Sequence, residues 1–205
     1  MPDRTIGHTD VVHPVFFYLP GEKLSLAELC AARLDGDVVE LGEGYTPADS
    51  IDTEVWRAAS ISTLLPSLDS FAFVGPSAAW IHGAGDGAPY EHAVRRTGKR
   101  RTTDVGRPRL TVHDTPLPSS DVMLVGRVSV TTPDRTLFDL ARSANKSPVY
   151  EHWAWLLAEY DPTTVAPAAE RTRAWRGQPG SVRARELLQS IAVQTQQSDA
   201  LFTLQ

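Results

Sequence analysis

From Ser25 onward the apolar positions Leu26, Leu29, Cys30 and Leu34 recur at the spacing of one helix face. Ser25 followed three residues later by Glu28 is a capping-box pattern, and Asp35-Gly36 supplies the stop. Beyond it, Val38-Val39-Glu40-Leu41 reads as a strand, and Gly42-Glu43-Gly44 as a tight turn into a second short strand at Tyr45. A helix followed by a hairpin is the second half of a winged helix. The first half has little room, because His13-Pro14 and Leu19-Pro20-Gly21 interrupt the segment upstream. The pattern changes at Ser50, which divides the chain into a winged-helix-like unit, residues 1–50, and a second domain, residues 51–205.

In the second domain, Asp52 is placed to cap a helix through Val55, Trp56, Ala59 and Leu64-Leu65 to Pro66. Phe71 to Val74 reads as a buried strand, and Gly75-Pro76-Ser77 opens a small-residue helix that Gly83 ends. Residues 90–131 read as a meander of strands near 90–95, 108–113, 121–125 and 127–131. Thr132-Pro133, Ser147-Pro148 and Asp161-Pro162 each set a polar N-cap before a proline at the first helical position. A last helix from Ser181 places Val182, Leu187, Leu188 and Ile191 on one face with Arg183 and Arg185 outward, and the Gln-rich stretch past Ala192 is expected to fray. The expected class is α+β: the winged-helix-like unit, then a mixed α/β domain with a small antiparallel sheet and C-terminal helices.

Composition narrows the picture. The 205 residues are 41% apolar and 22% charged with 5 Trp, a globular balance rather than a disordered one. A single cysteine, Cys30, precludes an internal disulfide and points to a reducing, cytoplasmic setting. Its place on the apolar helix face reads as inert packing. No apolar run approaches the roughly 20 residues that span a bilayer, so no membrane association is expected. Phosphate loops and the common hydrolase and kinase signatures are missing. The 6 histidines, at 8, 13, 82, 92, 113 and 152, never stand three or four apart, so no metal site is expected. His82, next to Gly83, reads as a structural group at a helix end. Thr131 to Thr136 groups hydroxyls, a carboxylate and a guanidinium, and reads as a helix start rather than a catalytic loop. No catalytic residue and no cofactor is assigned.

Charge changes the picture most. The net charge of −5 is a sum of opposed blocks. Residues 1–60 carry 4 basic and 11 acidic groups, whereas residues 95–109 carry 7 basic groups against Asp104 alone. The run Arg95, Arg96, Lys99, Arg100, Arg101, Arg107 and Arg109 would repel itself unless an anion relieves it. Two anions suit it equally, nucleic-acid or other phosphate, or the acidic face of a protein. Segregation of this kind speaks to partners rather than to fold.

The order of the blocks Leu24 to Gly36, Val38 to Pro47, Pro76 to Gly83 and Val130 to Arg142 resembles the AbiEi-type antitoxins of type IV toxin–antitoxin systems, in their short actinobacterial form. The resemblance implies an N-terminal winged helix that binds the operon's own promoter. It also implies a C-terminal domain that neutralises a nucleotidyltransferase toxin of the AbiEii type. One departure stands out: residues 22–54 hold nine acidic groups against Lys23 and Arg33, a face that should repel DNA. Asp35, Asp37, Glu40 and Glu43 then form a candidate toxin-facing surface, which would imitate the phosphates of the toxin's RNA substrate. The leading expectation is a non-enzymatic antitoxin that binds its toxin and its operator DNA. One alternative is an enzyme that modifies the toxin covalently, a kinase-like phosphotransferase needing ATP and magnesium. Another is a stand-alone transcriptional regulator.

Overall fold

The computed structural model describes residues 17–65, 67–98 and 108–202. Helix α1 spans Leu26–Asp35 and starts as its sequence dictates. Ser25 Oγ accepts from the Glu28 amide at 3.3 Å, and the Glu28 carboxylate accepts from the Ser25 amide at 2.7 Å. Gly36 closes it with φ 84°. Strands β1 (Val38–Leu41) and β2 (Gly44–Pro47) follow as an antiparallel hairpin, and a small core of Leu29, Val38 and Tyr45 holds helix and hairpin together. Only Leu29 of α1 is buried. Leu26, Leu34 and Cys30 are exposed, so Cys30 is not the packed thiol that periodicity suggests. Residues 1–16, where further helices of a winged helix would fall, lie outside the described residues.

The hairpin tip is docked rather than free. Leu41 and Phe17 join the main core, and the Glu43 amide donates to the Ser60 carbonyl at 3.3 Å. Gly42 makes this approach feasible: at φ 58° a side chain would be strained, and a Cβ there would collide with Ser60 and Ile61. Ser60 and Ile61 belong to α2 (Glu54–Ser62), whose cap is Thr53 Oγ1. Asp52, the expected cap, instead grips Arg57, which reaches the Trp80 carbonyl.

The second region is built on a five-stranded sheet in the order β5-β4-β3-β7-β6, with β3 Phe71–Val74, β4 His92–Arg96, β5 Leu110–His113, β6 Val122–Val125 and β7 Val128–Thr131. The strands lie where the pattern puts them, but the sheet is mixed, not the antiparallel meander expected. β3 runs parallel to β7, and β4 parallel to β5. Parallel neighbours need a connection of about a dozen residues or more, and 13 residues, 97–109, separate β4 from β5 along the chain. On β3, Phe71 and Phe73 enter the main core while Ala72 and Val74 pack on the opposite face with Leu117. All four are buried, which is why the strand reads as an unbroken apolar run.

Helix α3 (Gly75–Ile81) leaves β3 directly, and α4 (Pro133–Ser143) leaves β7. α4 is the hub of the helical layer, packing against α3, α5 (Pro148–Tyr160), α6 (Val165–Ala174) and α7 (Ser181–Phe202). Thr132 precedes it without a side-chain cap. The hydroxyl that works at this turn is Thr136 Oγ1, bonded to Thr131 Oγ1 at 2.7 Å and to the Thr132 carbonyl at 2.9 Å. In α7 Ala184, Leu187, Leu188 and Ile191 are buried. Val182 is exposed, and the helix continues past Ala192 to Phe202.

Candidate functional site

The densest grouping of charge lies on α4. Arg135, Asp139 and Arg142 stand four and three apart, the spacing that brings side chains together on one helix face. Arg135 Nε donates to Asp139 Oδ2 at 2.8 Å, Arg142 Nε lies 3.1 Å from Asp139 Oδ1, and Arg95 of β4 brings Nη1 within 3.6 Å of the same carboxylate. Behind them Asp121, 5% exposed at the side chain, pairs with Arg135 and accepts from Arg171 Nη1 at 2.9 Å. Arg171 Nε donates to Asp134 at 2.5 Å. Burial pushes the Asp134 carboxyl up, but hydrogen bonds from Thr132 and Arg171 and the Arg171 charge outweigh it and hold the pKa below the ordinary value.

Beside this network a cleft of about 330 Å³ opens between β4, α4 and the start of α3. Val74, Pro76 and Ala93 supply apolar lining; the cations Arg95, Arg135, Arg142 and Lys146 outnumber the one lining carboxylate, Asp139, and His113, Tyr150 and Trp175 complete it. Arg142 lies 5.5 Å over the Trp175 ring. His113 is held below its ordinary pKa by burial first, then by the charges of Arg95, Lys146 and Arg142, with Asp139 opposing. Burial likewise lowers Arg95, Asp139 opposing and Arg135 and Arg142 adding to the shift. The cleft is cationic and can hold an anion.

Of the basic run, Arg95 alone among the described members faces this cleft. Arg96, its neighbour on the strand, points to the other side, as strand alternation requires. Its Nη2 donates to the Asp114 carbonyl at 2.7 Å. Arg109, the one non-glycine with positive φ among the described residues, at 64°, stacks 4.8 Å over Tyr90 and lies 3.0 Å from Glu43. Lys99, Arg100, Arg101 and Arg107 fall outside the described residues. Of the acidic set, Asp35 and Asp37 are exposed where α1 ends, and Glu40, also exposed, sits 3.5 Å from Arg33. Glu43 is turned inward to Arg109. One member of each charge block is thus spent on joining the hairpin to the sheet.

Ser77 and His92 form a hydroxyl–imidazole pair at 3.1 Å, but both are sealed in the core and Ser77 Oγ also accepts from the Ala93 amide. His92 Nε2, 3.9 Å from Glu43, makes no hydrogen bond. Burial and then the Arg109 charge push the His92 pKa down to about 4. The unfolded chain, with an ordinary histidine, therefore binds more protons between pH 6.5 and 4, and stability falls as pH drops through that window. Lowering pH from 7 to 5 should cost about 2 kcal/mol through this group. A His92→Gln variant should lose that part of the pH dependence in urea titrations at the two pH values. His82 is also buried and donates Nε2 to the Thr131 carbonyl of β7 at 2.7 Å, bridging elements rather than closing its own helix. Among the described residues no three His, Cys, Asp or Glu side chains are grouped to hold a metal, and no helix is long and apolar enough to cross a membrane.

Residues 71–190, more than half of the chain, match the sequence pattern of the AbiEi antitoxin C-terminal domain. The chain belongs to the AbiEi antitoxin family. No curated protein matches it. A solved structure of the RV2827C protein from Mycobacterium tuberculosis is similar at 22% identity and a TM-score of 0.42, over 80% of this chain and 64% of that one. The chain thus spans just under two thirds of the length of that protein. The AbiEi domain contains the whole cleft and the whole Asp121–Asp134–Asp139 network, whereas α1 and the hairpin lie before it. The network was open to sequence reasoning only in part. The four-residue spacing of Arg135 and Asp139 is a signal, while Asp121 and Arg171 come from distant segments that no spacing connects.

Proposed function

We propose that this AbiEi-family protein neutralises a nucleotidyltransferase toxin by occupying its RNA-binding groove, and that it also represses its own operon by binding DNA. The observation that carries the first half is the match of residues 71–190 to the antitoxin domain. The charge distribution supports the manner of binding. Asp35, Asp37 and Glu40 are exposed around the end of α1, next to the exposed apolar side chains Leu34 and Val39. Carboxylates around a small apolar patch suit a basic protein groove, and such charges mainly set the association rate and its salt dependence. The same face is ill suited to phosphate. DNA contact falls instead to Lys99, Arg100, Arg101 and Arg107 of the basic run.

Charge reversal at Asp35, Asp37 and Glu40 to lysine should slow association with the purified toxin at least tenfold at low salt and leave thermal stability unchanged. The measurement is surface plasmon resonance across a salt series, paired with rescue of toxin-arrested growth. Binding indifferent both to salt and to the reversal would refute the acidic-face reading. Glu43 is excluded from the set because its loss would also free Arg109. For the operator, alanine at Lys99, Arg100, Arg101 and Arg107 should weaken the gel shift at least tenfold and flatten the salt dependence of the binding that remains.

A further inference from the structure

We propose that the cleft between β4 and α4 is a binding site for a phosphorylated mononucleotide, its phosphate held by Arg95, Arg142 and Lys146 and its base by the Trp175 side of the cleft. The proposal goes beyond toxin neutralisation and does not depend on it.

The charge balance is the first support. Arg95, Arg135, Arg142, Arg171 and Lys146 lie in or directly behind the cleft and face three carboxylates, Asp121, Asp134 and Asp139. Among the described residues that leaves two positive charges in excess, and a phosphate monoester carries about −1.5 to −2 at neutral pH. Three guanidiniums converge on Asp139, and of these only Arg135 hydrogen-bonds it among the described residues. Arg142 Nε, 3.1 Å from Asp139 Oδ1, is buried yet does not align into a hydrogen bond. Lys146 is exposed at the mouth. Arginine forks match phosphate oxygens two at a time; Arg142 can offer its fork, whereas Arg95, whose Nε and Nη2 donate to the Thr115 and Pro116 carbonyls at 3.2 and 3.5 Å, contributes Nη1 and its charge.

Shape and lining are the second. At about 330 Å³ the cleft is at the small end of the range that takes small-molecule ligands, roughly 300–1,000 Å³. That suits a mononucleotide and excludes a duplex. Tyr150 and Trp175 line it, and Trp175 Nε1 is a buried donor without a partner. An aromatic wall beside a cationic pocket is what a base and its phosphate require.

The test uses the purified full chain in a phosphate-free buffer of low ionic strength, with AMP, adenosine and inorganic phosphate titrated separately by calorimetry. AMP should bind at least tenfold more tightly than either of the others. Arg142→Gln and Lys146→Gln should each weaken AMP by threefold or more. Lys146→Gln keeps the test valid where Arg142→Gln disturbs packing on Trp175, since Lys146 is exposed. In a parallel NMR titration AMP should raise the pKa of His113, by placing an anion opposite Arg95, Lys146 and Arg142. Equal affinity for AMP and adenosine would overturn the phosphate site, and equal affinity for AMP and inorganic phosphate would overturn the base contact. Binding that leaves His113 unmoved, or survives Lys146→Gln intact, would place the ligand elsewhere and overturn the assignment.

Discussion

Replacing Asp121 with alanine should destabilise the protein by about 3–5 kcal/mol, the usual cost of removing one partner from a buried ion pair. The Asp121 side chain is 5% exposed and serves two guanidiniums, those of Arg135 and Arg171. It sits at the end of the short turn of residues 119–121, where its backbone carbonyl also accepts from the Thr132 amide. That backbone bond survives the substitution, so the loss reports the carboxylate. Arg135 keeps Asp139, and Arg171 keeps Asp134, so neither cation is stranded completely; the lower half of the range is therefore the sharper expectation. Urea unfolding at pH 7 with an unchanged slope would measure it. A loss below about 1 kcal/mol would mean that solvent reaches the network and that the pairs act as surface pairs do. Asp121→Asn separates charge from shape: it keeps the volume and one acceptor, and should recover little of the loss if charge neutralisation is what matters.

Local signals in the sequence transferred well because they act within a few residues. The capping box of Ser25 and Glu28, the proline starts at Pro133 and Pro148 and the strand at Phe71–Val74 all lie where their side chains dictate. What failed to transfer is pairing over distance. Strand alternation tells which side chains share a face but not which strand lies beside which, so the mixed order of the sheet was not legible. The basic run shows the same limit. As a run it reads as one patch, but β4 splits Arg95 from Arg96 by the two-residue period of a strand and sends them to opposite faces. Arg109 is then taken by Glu43, a residue 66 positions earlier and of the opposing charge block. Asp52 fails as a cap for a nearer reason, since the neighbouring Thr53 hydroxyl accepts from the Trp56 amide; at Thr132 no side chain caps α4, and the Thr136 hydroxyl donates to the Thr132 carbonyl instead. The candidate cleft draws on β4, β5, α4 and the segment after α6, which is why charge counting found one of its arginines and missed the other two.

Gly180→Ala should be as damaging as losing Asp121, for a different reason. Gly180 precedes α7 with φ 82°, a conformation that costs an L-residue about 1–2 kcal/mol. A Cβ there would also overlap the Arg142 carbonyl oxygen. That oxygen is backbone in the last turn of α4 and cannot swing aside as a side chain would, so either α7 lifts from α4 or the end of α4 deforms. Overpacking of this kind costs about 1–3 kcal/mol, giving roughly 2–5 kcal/mol together. Gly177→Ala is the matched control. Its φ of 75° is equally left-handed, but nothing lies within 4 Å of the added carbon, so it should show the conformational part alone. Thermal unfolding of the two variants side by side isolates the contact, and equal losses would show that the approach of α7 to α4 is not what Gly180 serves. The comparison also bears on the cleft, because the residue whose carbonyl Gly180 abuts is the one whose guanidinium lines it. If α7 fixes the end of α4, Gly180→Ala should weaken AMP binding beyond the effect of Gly177→Ala, although neither glycine lines the cleft.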